Sequence, residues 1–77
     1  MKIEILGMGC PKCRQMAEVV RRAVEMSGKD VAVSKVEDLR EIRKWKVMAT
    51  PALAIDDEVK IAGRVPTVEE VTSLLTP

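Results

Sequence analysis

Hydrophobic positions change their period several times along this chain, and each change marks an element. In Lys2–Leu6 they alternate, with Ile3 and Ile5 on one face and Lys2, Glu4 and Leu6 on the other, which predicts a short strand. Gly7 and Gly9 then let the backbone turn, and Pro11 falls at a first-turn helical position, where its missing N–H is no loss. From Pro11 to Ser27 the residues Cys13, Met16, Ala17, Val20, Ala23 and Val24 recur three or four apart, the signature of an amphipathic helix. Its outer face carries Arg14, Glu18, Arg21, Arg22 and Glu25, with Glu18 and Arg22 in the favourable i, i+4 order, and Gly28 supplies the stop.

The second half follows the same logic. Val31–Val36 alternates and is rich in β-branched residues, which predicts a second strand. Asp38 with Glu41 three positions on resembles a capping box, and Leu39, Ile42 and Trp45 form a narrow apolar stripe, so a short helix is expected between Asp38 and Lys46, with Trp45 packing it onto a sheet. Pro51 opens the apolar run Ala52–Ile55, and Asp56-Asp57-Glu58 reads as a turn into Val59–Ala62, making a hairpin. Thr67-Val68-Glu69-Glu70 is a capping box that opens a last helix with Val68, Val71, Leu74 and Leu75 inward. The order is βαβαββα, an α/β fold. The first βαβ is expected to give two parallel strands and the hairpin two antiparallel ones, a four-stranded mixed sheet with helices on both faces.

Composition narrows the function classes. A chain of 77 residues has room for one small domain, taken here as 1–77, and buries only about 60% of its unfolded surface. Apolar residues at 47% and charged residues at 32% fit a globular domain, and with aromatics at 1% the core must be built from Val, Ile, Leu, Ala and Met. A net charge of +1 with interleaved signs gives no support for nucleic acid or an anionic membrane as partner. There is no membrane-spanning run, and no secretory h-region at the N-terminus, so a cytoplasmic location is expected.

The candidate chemistry lies in Gly9-Cys10-Pro11-Lys12-Cys13, which holds both cysteines. A Cys-x-x-Cys where a strand gives way to a helix places sulfur near unpaired N–H groups and the positive end of the helix dipole, and both favour a thiolate. Three readings of the pair are open: a redox dithiol, a structural disulfide or a metal site. A structural staple would close a very short loop and restrain the unfolded chain little.

The element order, the Cys-x-x-Cys at the first helix and the Thr50-Pro51 before the third strand together resemble the thioredoxin and glutaredoxin fold. Within it, Ile5–Cys13, Val47–Leu53 and Ala62–Pro66 are similar to the small thioredoxin-like redox proteins of archaea and bacteria. The chain departs from ordinary thioredoxins in having no Trp before the first cysteine and Pro-Lys between the pair, and the Gly-Gly and acidic glutathione clamp of glutaredoxins is missing near Gly63. The resemblance implies a thiol–disulfide oxidoreductase that reduces protein disulfides and is recharged by a disulfide reductase, acts as a monomer and needs no cofactor. Cys10 is expected to be the nucleophile, with a pKa lowered by the helix start and by Lys12, and Cys13, one turn later on the buried face, the resolving thiol. The resemblance further implies a cis Thr50–Pro51 bond facing the cysteines, with the backbone of Ala49 and Thr50 free to pair with a substrate strand. Glu4, six residues before Cys10, has the spacing of the acid that takes a proton from the second cysteine in thioredoxins; a solvated charge near the sheet end is the simpler reading. Met8 and Met48 are read as an apolar rim around the cysteines, with core packing an equal account of Met48.

The rival class is a soft-metal carrier. Gly7-Met8-x-Cys-x-x-Cys is similar to the loop of heavy-metal-associated copper domains, in which two thiolates hold Cu(I). That fold runs βαββαβ, whereas a helix here precedes the third strand and another ends the chain. A structural zinc site lacks ligands, since the chain has two cysteines and no histidine. A non-enzymatic scaffold is disfavoured by the presence of both cysteines.

Overall fold

The two faces of the first strand decide the layers of this protein. The structure, a computed structural model, describes residues 1–9 and 11–75. It contains β1 (Lys2–Leu6), α1 (Pro11–Ser27), β2 (Ala32–Val36), α2 (Leu39–Lys44), β3 (Ala52–Ile55), β4 (Glu58–Ala62) and α3 (Val68–Leu75), the βαβαββα order expected from the periodicity. Strand order is β2-β1-β3-β4, with β1 parallel to β2, antiparallel to β3, and β3 antiparallel to β4. The fold is the thioredoxin-like α/β sandwich with a four-stranded mixed sheet.

Ile3 and Ile5 on one face of β1 pack with Met16, Val20 and Ala23 of α1 and Val71 and Leu75 of α3, joined by Leu53, Ile55 and Ile61 from the hairpin. The alternate residue Leu6 turns to the other face, where it meets Ile42 of α2 and Ala52, with Val36, Trp45 and Val47 around them. Trp45 therefore does pack α2 onto the sheet. Ala17, Val24, Val68 and Leu74, expected fully inward, are half-buried at the margins of the larger core.

Several local expectations need correction. β2 starts at Ala32 and shows no buried alternate face: it is an edge strand on which only Val36 is half-buried, beside Ile42 of α2, and even Val33 is 43% exposed. α2 is shorter than the apolar stripe suggested, and Leu39 is exposed while Ile42 within the helix and Trp45 at its end reach the sheet. Its cap is not a reciprocal box: Asp38 Oδ1 accepts from the Arg40 N–H at 2.8 Å, while Glu41 pairs with Lys44. The hairpin loop is only Asp56-Asp57, with Glu58 already in β4. Both aspartates have positive φ, 50° and 68°, as a two-residue turn matched to strand twist requires, and Asp and Asn tolerate that region best after glycine. Asp56 Oδ1 also accepts from the Lys2 N–H at 2.9 Å, tying the turn to β1.

The capping box of α3 forms as expected. The Glu70 N–H donates to Thr67 Oγ1 and the Thr67 N–H donates back to Glu70 Oε1, both at 3.1 Å. Arg64 adds a two-pronged pair to the same carboxylate through Nη1 at 3.0 Å and Nη2 at 2.6 Å. At the other end, Lys29 Nζ donates to the Leu75 carbonyl, a cation on the negative end of the helix.

The Arg64 hydrogen bonds, seconded by the Thr67 N–H, lower the Glu70 carboxyl from 4.5 to about 2. A carboxyl depressed on folding stabilises the native state above its unfolded pKa, and that stabilisation disappears as pH falls from about 4.5 toward about 2. Glu70→Gln is therefore expected to flatten the acid limb of a urea-midpoint-versus-pH curve in that window. Thr67→Ala should cost about 1 kcal/mol at neutral pH by loss of the cap.

Candidate functional site

The site forms where β1 ends, α1 begins and the loop before β3 returns. Cys13 lies in the first turn of α1 and is buried, with 6% of its surface exposed. Periodicity placed it on the inner face with Met16 and Val20, and that is where it is found. Its sulfur lies so close to Gly7 that a Cβ added there would overlap Cys13 Sγ, and the same Cβ would come 3.9 Å from the Pro51 Cα. Gly7, Cys13 and Pro51 thus converge from three separate elements. The Gly7 N–H donates to the Val36 carbonyl at 3.0 Å, which fixes the end of β1 against β2.

Thr50–Pro51 is cis, as the resemblance implied. Pro51 is buried, whereas Ala49 and Thr50 beside it are exposed. The Pro51 carbonyl accepts from the Gly63 N–H at 2.9 Å. Gly63 has φ of 82°, and a Cβ there would press on the Ala49 side chain at 3.2 Å, so glycine is needed for both conformation and space. Met8 and Met48 are 62% and 98% exposed, which removes core packing as the account of Met48 and leaves two flexible apolar side chains on the surface.

Cys10, the expected nucleophile, lies outside the described residues. Its sequence neighbour Pro11 is the first residue of α1, and the first turn of that helix contains no acidic residue to offset its positive end; Lys12 in that turn is exposed.

Glu4 is half-buried, its side chain 14% exposed, and its carboxylate pairs with Lys2 Nζ at 3.2 Å. The pairing, with Asp57 nearby, raises the Lys2 pKa, the Glu4 hydrogen bond being the main cause. Alternation along β1 sends Glu4 to the Leu6 side, while Ile3 and Ile5 face α1, the helix that carries Cys13.

A sequence model of the thioredoxin domain matches residues 1–76. The chain belongs to the thioredoxin family. A thioredoxin of Methanocaldococcus jannaschii is 48% identical over 69 residues, covering 90% of this chain and 79% of that protein. A thioredoxin of Methanothermobacter thermautotrophicus is 38% identical over 76 residues, covering 99% of both chains. This membership supports a thiol–disulfide oxidoreductase. Among the described residues no helix is long and apolar enough to cross a membrane.

Two features of the thioredoxin site escaped sequence reading. In the sequence Gly7 reads only as a turn residue, yet its φ is not positive; it is glycine because the Cys13 sulfur occupies the place of its side chain. The second is a cavity of about 330 Å³ beside the cysteine, lined by Gly7, Gly9 and Cys13 and also by Arg14, Lys35 and Glu37. No sequence signal links positions 14 and 35; only the pairing of β2 beside β1 does so.

Gly7→Ala should destabilise the fold by about 1–3 kcal/mol, the range for overpacking a filled site, read from urea unfolding of the reduced protein. Cys13→Ala in the same background is expected to recover much of that loss, because it removes the sulfur that the new methyl strikes. For Glu4→Gln, disulfide-reduction rates should match the parent within about twofold from pH 6 to 9, as expected of a carboxylate held by Lys2; general-base catalysis by Glu4 would instead show as a loss of about 10²-fold or more.

Proposed function

We propose that this thioredoxin-family chain, as a single domain over residues 1–77, reduces protein disulfides through Cys10 and Cys13. The observation that carries the reading is the convergence of buried Cys13, Gly7 and cis Pro51 at the start of α1, directly after Cys10 in sequence. Residue 10 precedes a helix start with unpaired N–H groups and no acid in its first turn, so a thiolate there is favoured. The Cys10 thiolate attacks one sulfur of the substrate disulfide. A new S–S bond joins protein and substrate, and the other substrate sulfur leaves as a thiolate that takes a proton. Cys13 then gives up its proton and attacks Cys10 Sγ. The mixed disulfide breaks, the substrate leaves fully reduced, and the chain holds the Cys10–Cys13 disulfide, having supplied two electrons. A dithiol reductase returns them.

Ala49 and Thr50 are exposed ahead of buried Pro51, and we assign their backbone to pairing with an extended substrate segment, with Met8 and Met48 as adaptable apolar contacts. The chain works in this reading as a cytoplasmic monomer without a cofactor.

The test is a redox titration of the dithiol followed by insulin reduction with a reductase supplying electrons. A reversible two-electron couple within about −270 to −120 mV is expected. Cys10→Ser should abolish turnover, and Cys13→Ser should accumulate a mixed disulfide visible by mass spectrometry. Alkylation of the reduced protein should show an inflection below the free-cysteine value of about 8.5. Tight one-to-one Cu(I) binding by a protein that fails to cycle with a dithiol buffer would point to the carrier class instead.

A further inference from the structure

β2 is one of the two edges of the sheet, and its residues are exposed beside α1. Between them runs a second cavity of about 490 Å³ whose floor and walls include Ala17, Val24 and Val33. It shares Ile5, Arg14 and Lys35 with the cavity beside Cys13, so the two form one groove leading from the cysteine along the inner side of β2. Arg14 and Lys35 stand where the two cavities join.

The charges along this groove differ in how they are engaged. Arg21 on the helix wall is held by Glu18 and Glu25, and Glu18 also binds Arg22. Glu37 lies at the cysteine end near Gly9. Arg14, Lys35 and Glu37 have no ion pair among the described residues, which leaves two uncommitted cations at the junction and one uncommitted carboxylate at the cysteine end.

We infer that this groove takes an extended acidic segment of the protein disulfide substrate, laid along the open edge of β2. The inference rests on the redox reading of the cysteines given above. The unpaired edge offers backbone donors and acceptors to an added strand, and side chains of such a strand alternate between its two faces. Lys35 and Val33 lie two apart on the same face of β2. A strand paired beside them places one side chain at the Arg14–Lys35 junction and the next same-side residue over Val33. The junction selects a carboxylate and the Val33–Val24 end selects an aliphatic side chain. The recognised pattern is acidic-x-aliphatic, with the disulfide cysteine on the far side of the acid from the aliphatic residue.

The experiment uses the full reduced chain and synthetic peptides whose single cysteine is in mixed disulfide with a pyridinethiol. Attack on the peptide sulfur breaks that S–S bond and releases the pyridinethiol, which is followed by absorbance. One peptide has valine and glutamate at alternate positions leading to the cysteine; in the other, lysine replaces glutamate. Both are made with the acid before and after the cysteine. Reduction of neutral 2-hydroxyethyl disulfide reports the dithiol alone.

In at least one order the glutamate peptide should react about fivefold to tenfold faster than its lysine counterpart at low ionic strength, and the ratio should shrink in 0.5 M salt. In the Arg14→Glu, Lys35→Glu double variant, altered only at exposed positions, the preference should invert. Equal peptide rates in a protein that reduces the neutral disulfide overturn the docking inference and leave the redox reading standing. A preference that survives in the double variant also overturns it. Failure to reduce the neutral disulfide overturns the redox reading itself.

Discussion

The contact between the Cys13 sulfur and the Gly7 backbone is the constraint on which the rest of the site depends. It lets the start of α1 close onto the end of β1, where any side chain at position 7 would hold them apart. Once that gap is closed, the Pro51 loop can reach the same point from β3, and the Gly63 N–H locks it through the Pro51 carbonyl. Three elements then share one small volume. A buried sulfur at the first turn of a helix then lies beside the exposed residues Ala49 and Thr50.

The two ends of the sheet are covered differently. On the β3–β4 side, α1 and α3 lie over a nearly continuous apolar surface, and the ends of α3 are tied down by Thr67, Glu70 and Arg64 at one end and Lys29 at the other. On the β2 side the sheet is thinly covered. β2 keeps its place through its ladder to β1, with Val36 packed beside Leu6 and Ile42. The groove beside β2 leads from that end to Cys13.

The charges show a related division. Glu18, Arg21, Arg22 and Glu25 neutralise one another on the outer face of α1, and exposed pairs of that kind add little to stability. Glu4 is engaged in the same way by Lys2 at the far end of β1. Arg14 and Lys35 are left over at the groove junction.

The sequence by itself determined the elements and their order, because each is set by local physics: period-two alternation in β1, three-to-four spacing in α1, the Thr67–Glu70 box, the two aspartates of the hairpin. It also marked the Cys-x-x-Cys, since its two cysteines lie three positions apart in the chain. Only the tertiary structure decided which alternating face was covered. β2 and Leu39 read as half-buried because they are apolar at regular spacing, yet periodicity cannot say whether another element will arrive on that side. Gly7 had the same ambiguity, since a glycine needed for space looks in sequence like one needed for a turn. The groove joining Arg14 to Lys35 depends on strand order, which follows from the packing of the whole sheet and from no short run of residues.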